Sequence, residues 1–264
     1  MPNCHGLPPK QPASDDGYWG EHLNTFLSRI NRPYPKTQFP DSFSIFQKRV
    51  LGRSLAIFQA GEVGEGRLAR EINEFHTPYI DEAYREAIRL FVAEEGRHGK
   101  ILASMLKELG VKRKPSTRTE RLFVYVRRLA GIRAKLLVLL VAELVGYSYY
   151  STLIALLDEC PAKAALDEMR NDEFDHLQFH LDFFRCMSSC GAMAGVFSSL
   201  ICLVIGLSSF ALVALEHRAA VACMGGNIWG FVVKGWRSVV LLSLSIILMP
   251  ITSSVSVGKW LRVA

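Results

Sequence analysis

Apolar residues recur every three to four positions along most of this chain, and nowhere do they alternate with polar ones for any length. The pattern predicts an all-α protein. Leu51, Leu55, Phe58, Ala69 and Ile72 share one helical face, on a helix that Asp41 or Ser42 caps and that runs to about Phe75. Thr77-Pro78 opens a second helix, with proline at its first position, that ends at Gly110. Leu136–Leu157 is a third and almost wholly apolar helix, and Pro161 begins a fourth that ends near Gly191. Two stretches without a formal charge follow, 30 residues between Arg185 and Glu216 and 21 between Arg237 and Lys259. Each exceeds the ~20 residues that cross a bilayer.

Residues 1–40 hold seven of the eleven prolines and read as an irregular arm with one short helix around Glu21–Ile30. The chain thus divides into an arm (1–40), a helical bundle (41–188) and an apolar helical tail (189–264). Charge sharpens the division. Of 25 acidic residues, 24 lie in 1–185, and the remaining 79 residues carry Glu216 alone against five cations. An apolar fraction of 50% excludes a disordered chain. Six cysteines without a C-x-x-C pair exclude a disulfide scaffold, a zinc ribbon and a thioredoxin-like site, and fit a reducing cytosol. Cys186 and Cys190, one helical turn apart, read as buried thiols. Met1–Lys10 lacks the apolar run of a secretory signal.

The candidate chemistry sits in two repeats of one motif. Glu95-Gly-Arg-His98 lies in the second helix and Glu173-Phe-Asp-His176 in the fourth. Residues at i and i+3 on a helix point to one side, so each motif offers a carboxylate and an imidazole together. Glu143 stands 30 residues before Glu173 in an otherwise apolar run, and Glu62 and Glu65 stand 33 and 30 residues before Glu95. Such an interval is one helix up, a short turn and one helix down, which brings the paired carboxylates to one level of a bundle. Four carboxylates and two imidazoles facing one cavity need cations to offset their charge. Two divalent ions balance four glutamates, and oxygen-rich ligation with one imidazole per metal favours iron, or manganese, over zinc.

These residues resemble the ferritin-like di-iron carboxylate superfamily, in which two helices each give a Glu and two others each give Glu-x-x-His. The resemblance covers roughly residues 44–185. It implies a four-helix bundle with a long crossover between its second and third helices, the apolar tail helices being additional. It implies that Glu62 and Glu143 are terminal ligands, Glu95 and Glu173 bridging ligands, and His98 and His176 one imidazole per iron. Ala60-Gly61-Glu62 is similar to the rubrerythrin ligand motif, which favours Glu62 over the alternative Glu65. The activity implied is an oxidase or oxygenase that uses O₂ on a hydrophobic substrate with an external electron donor, similar to membrane-bound quinone hydroxylases. The alternatives are a ferritin- or rubrerythrin-like ferroxidase or peroxide scavenger, and a non-catalytic membrane protein that retains the bundle.

The crossover constrains the helices. From Glu95 to Gly110 is ~22 Å, and an unbroken helix from Glu120 would put Glu143 a further ~34 Å away. Residues 111–119 reach at most ~32 Å, so the third helix must begin near Arg133 with a break near Gly131. The basic stretch from Lys112 to Lys135, nine cations against Glu120, reads as a solvated crossover or an anionic-surface contact, without a nucleic-acid motif. Tyr147 and Tyr150 follow Glu143 by four and seven residues and are expected to face the cavity. His180 is either a third imidazole or a hydrogen-bonded histidine one turn below the site. Asp172 and Asp175 either support the ligands or face solvent, and His217 has no motif partner. Trp229, Trp236 and Trp260 suit a membrane interface, and the tail otherwise packs on the bundle or at a homodimer contact.

Overall fold

The computed structural model describes residues 19–62, 67–77, 79–112 and 131–248; the side chain of Cys190 lies outside that description, as do Glu65, Pro78, Trp260 and most of the basic crossover. Among the described residues there are eight α-helices and no strand: α1 (Gly20–Leu27), α2 (Ile45–Glu62), α3 (Leu68–Glu74), α4 (Glu82–Glu108), α5 (Ile132–Leu156), α6 (Pro161–Cys190), α7 (Ala192–Cys223) and α8 (Ile228–Leu248).

Local chemistry sets the helix ends, and it differs from the pattern reading at two of them. The cap of α2 is Ser44, not Asp41 or Ser42: its Oγ accepts from Gln47 N while Gln47 Oε1 accepts from Ser44 N, a reciprocal capping box. α4 opens at Asp81, whose carboxylate accepts from Tyr84 N at 2.8 Å, rather than at Thr77-Pro78. At its far end Gly110 takes the left-handed conformation (φ +65°), and Val111 N returns to Leu106 O at 3.0 Å. Backbone at Gly131 is not helical, so α5 starts at Ile132. Pro161 lies in the first turn of α6, where no N–H is needed.

Side-chain pairs give the helix directions. Gly52 packs on Val111 and Gln59 donates to Gly99 O, so α2 and α4 are antiparallel. Tyr84 meets Phe183, Phe91 meets His176, and His98 meets Asp172, so α4 and α6 are antiparallel. Glu143 lies beside His176, and Gly146 beside Glu173, which makes α5 antiparallel to α6. Hence α4 and α5 run in the same direction.

The arm is part of the core. Trp19 and Phe26 are buried, Trp19 Nε1 donates to Tyr79 O, and Phe26 packs its ring against Phe179 and His176. Beyond α6, α7 and α8 form a close pair. Gly206 accepts the side chain of Val239, and Gly235 lies against the ring of Phe210, where a Cβ would come within 2.0 Å of a ring carbon. Several tail serines (Ser199, Ser209, Ser238, Ser243) are buried between helices, and Ser199 Oγ donates to Ser243 O. Small residues let these backbones approach closely.

Three helices, α5, α7 and α8, are long and apolar enough to cross a membrane. α5 uses most of its apolar surface inside the molecule. α7 and α8 keep outward stripes, with Phe197, Leu200 and Val204 on one and Trp229, Val233 and Trp236 on the other.

Candidate metal centre

Four helices converge on a buried cluster of acids and imidazoles. Glu95 and His98 come from α4, and Glu173 and His176 from α6; one ligand atom from each lies within 4.8 Å of all the others. Glu143 of α5 approaches the same place, with Oε2 3.6 Å from His176 Nδ1. Glu62, the last described residue of α2, is 9% exposed and accepts a hydrogen bond from Tyr150 at 2.7 Å. All six side chains singled out by spacing (Glu62, Glu95, His98, Glu143, Glu173, His176) are buried at this level of the fold.

The two imidazoles are held alike. His98 Nε2 lies 3.1 Å from Asp172 and His176 Nε2 lies 2.9 Å from Glu94. Nδ1 of each ring points the other way, His98 to Glu173 at 3.3 Å and His176 to Glu95 at 3.1 Å. Asp172 and Glu94 each precede a motif glutamate by one residue and reach across to the other motif's histidine. Hydrogen bonds from Nε2 of each ring to these outer carboxylates leave Nδ1 facing the inner glutamates.

The arm secures this outer layer. Arg29 pairs with Glu94 (3.1 Å), Asp172 (2.7 Å) and Asp175 (3.1 Å), and Arg32 adds a second contact to Asp172. Arg97 pairs with Glu168 at 2.6 Å and donates to Pro33 O. Those cations stop at the outer carboxylates. Among the described residues no lysine or arginine pairs with Glu62, Glu95, Glu143 or Glu173.

The charge states reflect this imbalance. Burial and the nearby Glu95 and Glu173 push the Glu62 carboxyl well up. Burial also opposes ionisation of Glu173, but its close neighbours Glu143, His176 and His98 outweigh it and hold that carboxyl low. Burial works against charge on His98, yet Asp172 and Glu173 raise it to about 9. His176 is raised in the same way by Glu143, Glu173 and Glu94.

Four inward atoms, Glu95 Oε1, Glu173 Oε1, His98 Nδ1 and His176 Nδ1, are buried with no hydrogen-bond partner in acceptable geometry. These atoms face one another at 3.1–3.3 Å, and two carboxylates and two imidazoles converging on one buried point are a donor set that a cation would satisfy. This cluster can bind a metal ion.

His180 is neither a third member of the cluster nor a hydrogen-bonded histidine. Both its nitrogens lack partners, its ring packs on Phe91, and burial together with His176 pushes it down to about 3. Tyr147 also departs from expectation. It lies by Phe174 and lines a separate cavity with Phe231 and Lys234, while Tyr150 reaches Glu62.

A cavity of about 160 Å³ adjoins the carboxylate side of the cluster. Glu62, Glu95, Glu143 and Glu173 line it together with the apolar Phe58, Val138, Val141, Val145 and Val213 and with Ser209 and Glu216 of α7. His217 of α7 also faces it, with Nδ1 2.7 Å from Ser54 Oγ, which in turn bonds the Tyr149 hydroxyl.

Spacing within single helices did not disclose Glu94, Arg29 or the Tyr149–Ser54–His217 chain. The signal for Glu94 is that both motifs extend backward by one acid, to Glu-Glu-x-x-His and Asp-Glu-x-x-His. Arg29 and His217 act between distant segments and leave no local pattern. Compared with known proteins, the chain matches no family model, no curated protein and no solved structure.

Proposed function

We propose that this protein is a ferritin-like di-iron carboxylate oxidase or oxygenase that acts with O₂ on a small apolar substrate and is attached to a membrane by α7 and α8. The observation that carries this reading is the convergence of four buried ligand atoms from two copies of Glu-x-x-His. The parallel direction of α4 and α5 supports the ferritin-like arrangement.

Glu95, His98, Glu173 and His176 would hold the metals, with Glu62 and Glu143 completing the set from α2 and α5. Iron, when bound, supplies the electrons that reduce O₂ beside the cavity. The chain's residues do the rest. Glu94 and Asp172 fix the tautomers of His176 and His98, so Nδ1 faces the metals. Tyr150 donates to Glu62 and holds its carboxylate in place. The apolar wall of α2, α5 and α7 excludes water and admits an apolar molecule. An apolar approach suits O₂ and a hydrophobic substrate better than hydrated iron in transit, which favours an oxidase over an iron store.

The outward apolar stripes on α7 and α8 support the membrane attachment. Ile228–Leu248 is ~31 Å long, close to the hydrocarbon thickness of a bilayer.

The test is metal analysis of purified protein beside Glu143→Ala and His176→Ala variants. The expected result is close to two irons per chain in the parent and a marked loss in both variants. Parent protein without transition metal, or unchanged content in both variants, would overturn the proposal.

A further inference from the structure

Away from the carboxylates, a cavity of about 380 Å³ lies between the second half of α5 and the first half of α8. That size falls within the ~300–1,000 Å³ range of ligand sites. Gly226 packs on Leu156 and Tyr149 on Phe231, so the two helices run antiparallel beside it. Gly230 leaves room there, since a Cβ on it would meet nothing within 4 Å.

The polar groups of this groove differ in the protons they have left to give. Ser148, Ser151 and Thr152 donate theirs to carbonyl oxygens one turn back in α5, at 2.7–2.9 Å. Tyr147 and Ser238 do not. Ser238 is 5% exposed, yet its hydroxyl, like that of Tyr147, has no hydrogen-bond partner among the described residues. Asn227 commits its carbonyl oxygen to Trp229 N at 2.9 Å and keeps its N–H₂ group. Lys234 lines the same space without an ion pair among the described residues, and no acid lines it. A cation, two hydroxyls and an amide with unspent protons match an anion that carries several acceptor oxygens.

We infer that this groove binds the phosphate of an anionic phospholipid, held by Lys234, Tyr147, Ser238 and Asn227. The surroundings of the cation point to a lipid rather than to free phosphate. Lys234, Leu241 and Leu248 stand two turns apart and share a side of α8 with the exposed Leu244, an apolar track for an acyl chain. Lys234 is ~9 Å from the first residue of α8, so its stem can lie against hydrocarbon while the ammonium reaches the headgroups. A net negative headgroup is required because a choline would bring a second cation to a lining without an acid. The inference rests on the proposed membrane attachment and is independent of the metal.

The test is native mass spectrometry of the full chain in detergent, with equal amounts of phosphatidylglycerol and phosphatidylcholine of one acyl length. The parent should retain one phosphatidylglycerol with about tenfold preference. Lys234→Gln, at an exposed position, should abolish the preference, and Ser238→Ala should reduce it about threefold. Arg237→Gln, exposed on α8 but outside the groove, should keep it. Equal retention of the two lipids by the parent, or a preference that survives Lys234→Gln, would overturn the inference. Equal loss in Arg237→Gln would overturn it by revealing a diffuse basic surface. Displacement of the lipid by inorganic phosphate at equal concentration would do so by making the free anion the ligand. Flotation on phosphatidylcholine vesicles reads the attachment separately. A parent that floats without lipid preference keeps the attachment and loses the groove; one that prefers phosphatidylglycerol in detergent but never floats does the reverse.

Discussion

Glu94 stands next to Glu95 in sequence, yet it serves the opposite helix: its Oε2 lies 2.9 Å from Nε2 of His176. Asp172, next to Glu173, serves His98 in return. Each motif therefore orients the imidazole of the other, and the two halves of the centre are interlocked. Glu94→Gln and Asp172→Asn keep size and remove the charge that fixes the tautomer. Each is expected to lower metal affinity about 10- to 100-fold, read by competition with a chelator. Unchanged affinity in both would reduce these carboxylates to packing.

Acid–base behaviour should expose the same coupling. In the metal-stripped protein, burial opposes charge on His98, but Asp172 and Glu173 hold it up at about 9, against an unfolded value of ~6.5. A raised pKa stabilises the fold fully below ~6.5, and that contribution fades as pH rises through about 9. Denaturation of stripped parent and His98→Gln should thus show a stability gap that narrows across this window. A constant gap would contradict the assignment.

The tail makes its own prediction. A Cβ on Gly235 would meet the ring of Phe210, whereas one on Gly230 would meet nothing within 4 Å. Gly235→Ala should cost about 1–3 kcal/mol through overpacking, and Gly230→Ala should be neutral or slightly stabilising. Thermal denaturation in detergent distinguishes the pair, and equal midpoints would argue that α7 and α8 do not pack this closely.

Attachment to lipid should depend on the outward stripes. Leu200 and Val240 are 57% and 42% exposed. A Leu200→Glu, Val240→Glu double variant is expected to leave phosphatidylcholine vesicles in a flotation assay while keeping its metal. Parent protein that never floats with the vesicles would end the membrane proposal. Variants that float as well as the parent would place the lipid contact elsewhere.

How far the molecule was legible in its sequence depended on whether a signal was confined to one helix. The all-α class and the placement of Glu95, His98, Glu173 and His176 followed from periodicity and i, i+3 spacing, both local. Tyr150 could be placed near Glu62 because it shares a side of α5 with Glu143. Tyr149 faces Ser54 and α7, a relationship that requires knowing which helix lies behind α5. Ser44 displaced two plausible caps because only it has a glutamine three residues on. The arm was least legible. Proline content suggests irregularity, and the arm's order comes from Trp19, Phe26 and Arg29 meeting partners on α4 and α6.

Arg29 pairs with Asp172 across 143 positions of sequence. On a ribosome the arginine emerges early, whereas its acceptor appears only when α6 is being made. Closing so long a loop carries a larger entropy cost than a local contact does. Asp172, which contacts His98, therefore meets Arg29 only after α6 has been synthesised, whereas Glu94 is available to the same arginine once α4 is made. The two contacts of one arginine thus span the chain unequally, and the one to Asp172 ties the amino-terminal arm to the last helix that contributes to the cluster.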